Sequence, residues 1–242
     1  MISSLKHHVA VVIGASSGMG RATAKALAKA GALVTAAARR TERLDELRTE
    51  LEAENIDLDT FTVDVTDATS VERLIGHVKE LRGRIDLLVY ATGTNIPERG
   101  LKVLSPETWE MMFDTNLTGA FHATRAVLPI MREQQGGLIV YLSTAAVQFP
   151  DVSGVAYQAS KHGLSGLAHG TRAEEKKAGI RTTVIFPGLC RTEILSKRPV
   201  PTPEEILQYA LEPEDVADAV LFVAQLPPRA VVTELQLWPS RL

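Results

Sequence analysis

Residues 9–20 read VAVVIGASSGMG, and this stretch decides the fold. The apolar run Val9–Ile13 is typical of a buried strand, and residues 21–30 behind the glycines have the apolar spacing of a helix. In a strand, turn and helix of this kind, glycines let the backbone approach a pyrophosphate, and the positive end of the helix stabilises the anion. A glycine turn without a ligand is the alternative. The candidate phosphate-binding residues are Gly14, Gly18 and Gly20.

Short apolar runs and longer helical stretches alternate along the rest of the chain. The predicted strands are 9–13, 33–37, 58–63, 86–90, 138–142, 182–186 and a last strand from Glu234, and the predicted helices are 21–30, 42–53, 67–81, 106–131, 155–178 and one opened by Pro213. Continuous apolar strands joined by helices predict a parallel sheet buried on both faces. Right-handed crossovers then give a single-domain α/β fold of the Rossmann type, with a doubly wound parallel β-sheet flanked by helices.

Length and composition predict a single domain over residues 1–242, and the motifs make it a dinucleotide-binding and catalytic domain. The 26 basic and 29 acidic side chains give a net charge of -3, so we expect no nucleic-acid partner. No apolar run reaches the roughly 20 residues that cross a bilayer, and the single cysteine, Cys190, cannot form an intramolecular disulfide. We therefore expect a cytoplasmic protein without membrane contact. The six histidines lack zinc-site spacing and cysteine partners, so no metal site is expected.

Two arginines, Arg39 and Arg40, follow the second predicted strand. A carboxylate at this point would bind the adenosine ribose of NAD, whereas an arginine neutralises the additional phosphate of NADP. The sequence therefore predicts NADP(H) in preference to NAD(H). A solvated helix start is the alternative, because exposed charges are common there.

Tyr157 and Lys161 are four residues apart in a predicted helix, so their side chains share one face. A phenol with a pKa near 10 is a weak base at neutral pH, but a neighbouring ammonium favours the phenolate. We therefore expect Lys161 to lower the pKa of Tyr157. Tyr157 could then pass a proton to or from a carbonyl or alcohol oxygen while a nicotinamide passes the hydride.

Taken in order, these motifs resemble the short-chain dehydrogenase/reductase family over nearly the whole chain. The resemblance implies an oxidoreductase that transfers a hydride between NADP(H) and a small carbonyl or secondary alcohol. It implies a water-positioning role for Asn116 and binding of the nicotinamide ribose by Lys161. The remaining residues that the resemblance assigns to the cofactor are Ser16, Ser17, Met19, Asp64, Val65, Gly93, Asn116, Tyr157, Pro187, Gly188 and Thr192.

The family's substrate-orienting serine lies 13 residues before the tyrosine, and this position holds Thr144. Ser143, one residue earlier, is the alternative donor. Two departures from the family pattern stand out: Ile13 replaces the threonine before the glycine loop, and Tyr90-Ala-Thr-Gly93 replaces Asn-Asn-Ala-Gly after the fourth strand. The missing asparagines put the local stabilisation of that strand in doubt.

The segment 191–203 contains three prolines and mixed charges, and it predicts a substrate loop or lid near 191–212. Its cations are interpreted as solvated surface charges, with attraction of an acidic substrate as the alternative: Arg191, Lys197 and Arg198. A non-catalytic NADP(H)-binding sensor or scaffold of the same fold and a cofactor-dependent isomerase are the alternative functions. The resemblance also implies a homodimer or homotetramer, and Trp109, Phe113 and Phe121 are expected in the core or at a subunit contact.

Overall fold

The computed structural model describes residues 4–242, and seven strands and eight α-helices lie within this range. They are β1 (Val9–Ile13), α1 (Gly18–Lys29), β2 (Leu33–Ala38), α2 (Thr41–Glu52), β3 (Asp59–Thr62), α3 (Ala68–Arg82), β4 (Leu87–Tyr90), α4 (Pro106–Phe113), α5 (Gly119–Gln134), β5 (Gly137–Leu142), α6 (Val155–Glu175), β6 (Ile180–Pro187), α7 (Glu204–Leu207), α8 (Pro213–Ala224) and β7 (Glu234–Leu237).

The strands form one parallel sheet in the order β3-β2-β1-β4-β5-β6-β7. Alternate residues of β1 point to opposite faces because side chains alternate along a strand. Ala10 and Val12 join the cluster formed with α1, α2 and α8, whereas Val9, Val11 and Ile13 join the cluster formed with α3, α5 and α6. The predicted doubly wound α/β fold is confirmed.

The strand order places β1 between β2 and β4, so the chain leaves β1 and β4 toward opposite faces of the sheet. In open α/β sheets this reversal opens a crevice at the carboxyl ends of the strands, where ligands bind. The candidate residues at the ends of β1, β2, β3, β4 and β6 therefore meet at one edge of the sheet.

The predicted elements overlap the observed ones, with three differences. The predicted helix 106–131 is divided by a turn of π-helix, Asp114–Thr118. Helix α6 ends earlier than expected and continues as a short 3₁₀ turn, Lys176–Ala178. The segment near 191–212 is not wholly irregular, because it contains the 3₁₀ helix Glu193–Lys197 and the single turn α7.

The aromatic residues of α4 and α5 do not lie in the core of this chain. Trp109 and Phe121 are 37% and 47% exposed, and Trp109 stacks on Phe113 with 4.6 Å between ring centroids. Met112 is the residue of α4 that is fully buried.

Along the described residues, 4–242, no helix combines the length and the apolar character needed to span a membrane.

Candidate active site

A cleft of about 450 Å³ opens at the carboxyl edge of the sheet, between the glycine loop and the segment after β6. Residues that are far apart in sequence, and that the motifs predicted to act together, line this cleft. The expected cofactor-binding and catalytic residues that line it are Gly14, Ser16, Ser17, Gly18, Met19, Gly20, Arg39, Arg40, Asp64, Val65, Gly93, Ser143, Tyr157, Lys161 and Thr192.

The glycine loop packs too closely for side chains at two of its positions. Gly14 has φ +96°, and a Cβ there would lie 2.8 Å from the backbone carbon of Ala91. A Cβ on Gly20 would lie 2.2 Å from the carbonyl oxygen of Gly14. Helix α1 begins at Gly18 without a side-chain cap or an acidic residue in its first turn. This cradle, with free N–H groups at a helix start, fits the pyrophosphate of a dinucleotide.

Arg40 extends one end of the cleft with a fixed positive charge. Its guanidinium donates to the hydroxyl of Ser16 at 3.1 Å and to that of Ser17 at 2.6 Å. It also forms an ion pair of 3.0 Å with Glu193, in the segment after β6. Arg39 lines the same end of the cleft. Together, these two cations and two hydroxyls are suited to an additional phosphate on the adenosine side of a dinucleotide.

Asn116 lies in the π turn and is completely buried behind the cleft rather than in its wall. Its side chain accepts from the N–H of Thr94 at 2.7 Å and donates to the carbonyl of Thr94 at 3.1 Å and to the hydroxyl of Ser160 at 3.0 Å. Asn116 therefore joins the loop after β4 to helix α6, which carries Tyr157.

Tyr90 satisfies the backbone of the π turn. The N–H of Gly119 bonds to the carbonyl of Asp114, so it bypasses the carbonyl of Thr115, its partner in a regular α-helix. The Thr115 carbonyl instead accepts from the buried hydroxyl of Tyr90 at 2.6 Å. The Tyr90 side chain thus joins the end of β4 to the π turn.

Lys161 is 3% exposed and reaches the cleft from helix α6. Its ammonium donates to the carbonyl of Leu142 at 2.9 Å and to that of Thr92 at 3.3 Å. Burial lowers the pKa of Lys161 to about 8, because the low-dielectric surroundings disfavour the cation. The ammonium is therefore held at the ends of β4 and β5, close to Gly93.

The expectation that Lys161 lowers the pKa of Tyr157 is wrong in this structure. Burial is the largest influence and raises the pKa of Tyr157 to about 12, and Asp151 raises it further. The cations that lower it are Arg99 and Arg198, on the opposite side of the phenol from the cleft. Tyr157 is consequently a neutral phenol at neutral pH, which is the form that donates a proton.

A second cavity, of about 280 Å³, adjoins the cleft at Tyr157, Ser143 and Thr192. Its walls include Thr144 and the predicted turn residues Pro187 and Gly188. Phe149 and Trp238 form an edge-to-face pair at one side, with 5.2 Å between ring centroids. The Tyr157 hydroxyl therefore stands at the junction of a large cleft and a smaller, partly apolar chamber.

The two candidate hydroxyls at the end of β5 are in different positions. Ser143 is 3% exposed and donates to the carbonyl of Lys161 at 3.1 Å, so its proton is already used. Thr144 accepts from the N–H of Ala146 at 3.3 Å and, facing Tyr157, helps to lower the pKa of the phenol. Within residues 4–242 the Thr144 hydroxyl donates to no carbonyl, so its proton can go to the phenol oxygen of Tyr157 or to a ligand oxygen beside it.

Comparison with known proteins agrees with this arrangement. The model of the family described as short chain dehydrogenase matches residues 8–201. The chain belongs to this family.

A short-chain dehydrogenase relative, an uncharacterized oxidoreductase of Staphylococcus haemolyticus, is 31% identical over 98% of this chain and 100% of its own length. Sulfoacetaldehyde reductase 2 of Chromohalobacter salexigens is 32% identical over 96% of this chain and 94% of its own length. The closed form of a serine dehydrogenase complexed with NADP+ superimposes with a TM-score of 0.86, at 31% identity, covering 95% of this chain and 94% of that structure.

Several residues around this short-chain dehydrogenase site were not found from the sequence. Asn95 and Arg99 line the second cavity from the loop after β4. Lys197, which the sequence did single out, lines the cleft and donates to the hydroxyl of Thr94 at 3.0 Å. Trp238, which follows the last predicted strand, also lines the second cavity. Asn95, Arg99 and Trp238 belong to no sequence motif, and the loop after β4 lacks the apolar periodicity that identifies a helix or a strand.

Over the described residues, no cluster of three or more histidine, cysteine or acidic side chains is arranged to hold a metal ion.

Proposed function

We propose that the chain is an NADP(H)-dependent oxidoreductase that interconverts a small carbonyl compound and its alcohol. The observation that carries the proposal is the position of the Tyr157 phenol, at the junction of the cofactor-sized cleft and the smaller chamber. A proton donor at that point can act on an oxygen in the chamber while the carbon beside it faces the cleft. A nicotinamide cofactor would supply or accept the hydride.

Each side chain near the junction has one proposed role. Tyr157 is the general acid: with its pKa raised to about 12, it is protonated at neutral pH and can donate to a developing alkoxide. Thr144 donates a hydrogen bond to the same substrate oxygen. Lys161, fixed by two carbonyls at the cleft wall, binds ribose hydroxyls of the cofactor. Asn116 holds the Thr94 loop against α6 and so keeps Tyr157 in position.

The preference for NADP(H) is proposed from Arg39 and Arg40. Arg40 is held by Ser16 and Ser17, and its charge stands at the end of the cleft beyond the glycine loop. The match to a serine dehydrogenase structure containing NADP+ supports this preference. The relatives named as sulfoacetaldehyde reductase and serine dehydrogenase support a small, polar substrate.

We also propose a homodimer or homotetramer in the cytoplasm. Exposed aromatic side chains on α4 and α5 support self-association, because large exposed apolar groups favour burial against a partner. Sedimentation of the purified protein measures this directly, and a monomer at all concentrations would contradict it.

The test is NADPH oxidation, followed by absorbance, with a panel of aldehydes and ketones. We expect turnover by the unchanged protein and a loss of about 10²- to 10⁴-fold in kcat for Tyr157→Phe. Tyr141→Phe is the matched control, because it removes a buried phenol bonded to Thr124, away from both cavities. Unchanged turnover by Tyr157→Phe would refute the mechanism. Tight NADPH binding without turnover on any carbonyl would indicate a sensor or scaffold instead, and turnover without net NADPH loss would indicate an isomerase.

A further inference from the structure

Arg99 is a buried cation in the wall of the second cavity, 6% exposed. Its Nη2 atom donates to the carbonyl of Lys197. Its Nε atom is buried and has no hydrogen-bond partner within residues 4–242. A buried N–H without a partner is costly, and an unpaired buried guanidinium is more so. The wall of the cavity therefore contains a buried cation whose hydrogen bonds within the protein are incomplete.

The surrounding backbone fixes Arg99 in place. Gly154, directly before α6, has no side chain, and a Cβ there would lie 2.8 Å from the Cβ of Arg99. The Asn95 amide donates to the carbonyl of Ser153 at 2.9 Å, so the loop after β4 is fastened to the start of α6. The loop that carries Arg99 is thus attached to the start of α6, the helix that carries Tyr157. The guanidinium is therefore held in a fixed position relative to the phenol.

A second guanidinium, that of Arg198, lines the same cavity. It donates to the hydroxyl of Thr202 at 2.8 Å. Burial and the nearby Arg198 both lower the pKa of Arg99, whereas Asp151 raises it. Asp151 is exposed and accepts from the N–H of Ser153 at 2.8 Å. Among the charged side chains that line the cavity, two cations thus accompany one exposed carboxylate, so these side chains contribute a net positive charge beside the proposed proton donor.

We infer that the second cavity selects small carbonyl compounds and alcohols that carry an anionic oxygen group, a carboxylate or a sulfonate, and that Arg99, assisted by Arg198, binds this group. The inference rests on the proposed function for the identity of the reacting carbonyl. An oxyanion in the cavity supplies a counter-charge for the buried Arg99 guanidinium, and planar guanidinium groups bind such anions through directed hydrogen bonds. Phe149 and Trp238 close the other side and contact the carbon skeleton.

The first test compares two aldehydes of equal length, succinic semialdehyde and butanal, as substrates of the protein with NADPH. We expect kcat/KM to be about 10- to 100-fold higher for the anionic aldehyde, the range of a charge-assisted hydrogen bond. Equal values, or a preference for butanal, would overturn the inference while leaving the proposed reductase intact.

The second test needs no turnover and therefore does not depend on which carbonyl the protein reduces. Binding of butyrate, 1-propanesulfonate and 1-butanol to the protein with NADPH is measured by calorimetry. We expect either anion to bind at least about 10-fold more tightly than the alcohol, and the stronger of the two identifies the preferred group. If the neutral alcohol binds as well as both anions, the inference fails, even if the protein reduces some carbonyl.

Arg99→Gln and Arg198→Gln should each reduce the preference for anions by about 10-fold or more, with the larger loss for Arg99→Gln. Arg229→Gln is the matched control, because it removes one exposed arginine outside both cavities. Thermal unfolding and butanal turnover establish that each variant is folded. If Arg99→Gln does not fold, Arg198→Gln decides the question. An anion preference that survives in every folded cavity variant would overturn the assignment.

Discussion

The buried Lys161 ammonium should make the stability of the protein depend on pH in a measurable way. Burial lowers the pKa of Lys161 from an ordinary value of 10.5 to about 8. The difference, about 2.5, corresponds to about 3 kcal/mol. Between these two values the unfolded chain binds more protons than the folded one, so the free energy of unfolding rises with pH through that interval. At neutral pH Lys161 is charged in the folded state, so its burial lowers the free energy of unfolding by this whole amount.

The perturbation that isolates this effect is Lys161→Met, which keeps the length of the side chain and removes the charge. Urea unfolding of both proteins from about pH 7 to about pH 10 gives the difference in their free energies of unfolding, and other titrating groups cancel in that difference. We expect the unchanged protein to gain about 2 to 3 kcal/mol relative to Lys161→Met across this range, mostly above about pH 8. Parallel curves for the two proteins would refute the claim that Lys161 is charged at a desolvated position.

Lys25→Met is the control for this experiment. Lys25 bonds to Glu50, and this hydrogen bond raises the pKa of Lys25 above its ordinary value. A raised pKa stabilises the protein below the ordinary value and loses this contribution only as pH rises through the folded pKa. The difference between the unchanged protein and Lys25→Met should therefore stay nearly constant over the range in which the Lys161→Met difference changes.

Three further predictions concern the cleft and its supports. Arg40→Gln should weaken NADPH binding by about 10- to 100-fold and leave NADH binding nearly unchanged, as measured by fluorescence titration; an equal loss for both cofactors would contradict the proposed preference. Gly20→Ala should abolish cofactor binding, because its Cβ would lie 2.2 Å from a carbonyl oxygen. Gly76→Ala is the control: its Cβ would enter open space beside α3, so the substitution should raise the free energy of unfolding by about 0.5–1 kcal/mol. Thr144→Val should lower kcat by about 10²-fold or more and Ser143→Ala by less, because Ser143 donates to the Lys161 carbonyl whereas the Thr144 hydroxyl faces the phenol; the reverse order would exchange their roles.

Much of the fold could be predicted because the strands are continuous apolar runs. Val9–Ile13 is buried on both sides of the sheet, so its sequence needs no alternation, and the glycines behind it mark the turn to α1. The resemblance also led to the residues that line the cleft, since they follow strand ends and parallel strands share one carboxyl edge.

The π turn and the cation in the second cavity could not be predicted. A helical period over 106–131 does not reveal one additional residue, and the Tyr90 hydroxyl that stabilises the widened turn lies in another element. Arg99 follows a strand in a loop without periodicity, and its burial depends on Gly154, which is distant in sequence. Arg198, interpreted as a solvated charge with attraction of an acidic substrate as the alternative, lines the cavity, whereas Arg191 of the same segment pairs with Glu204 and Glu212.

The π turn holds one residue more than an α-helical turn, because its hydrogen bond reaches back five residues instead of four. Deleting one residue from Asp114–Thr118 would therefore allow a regular α-helix, with α5 in nearly its present rotation relative to α4. Ala120, Ala123 and Val127 would stay in the core. The deletion would instead remove the free carbonyl that accepts from Tyr90 and would displace Asn116 from Thr94 and Ser160, so the additional residue serves the site and not the core.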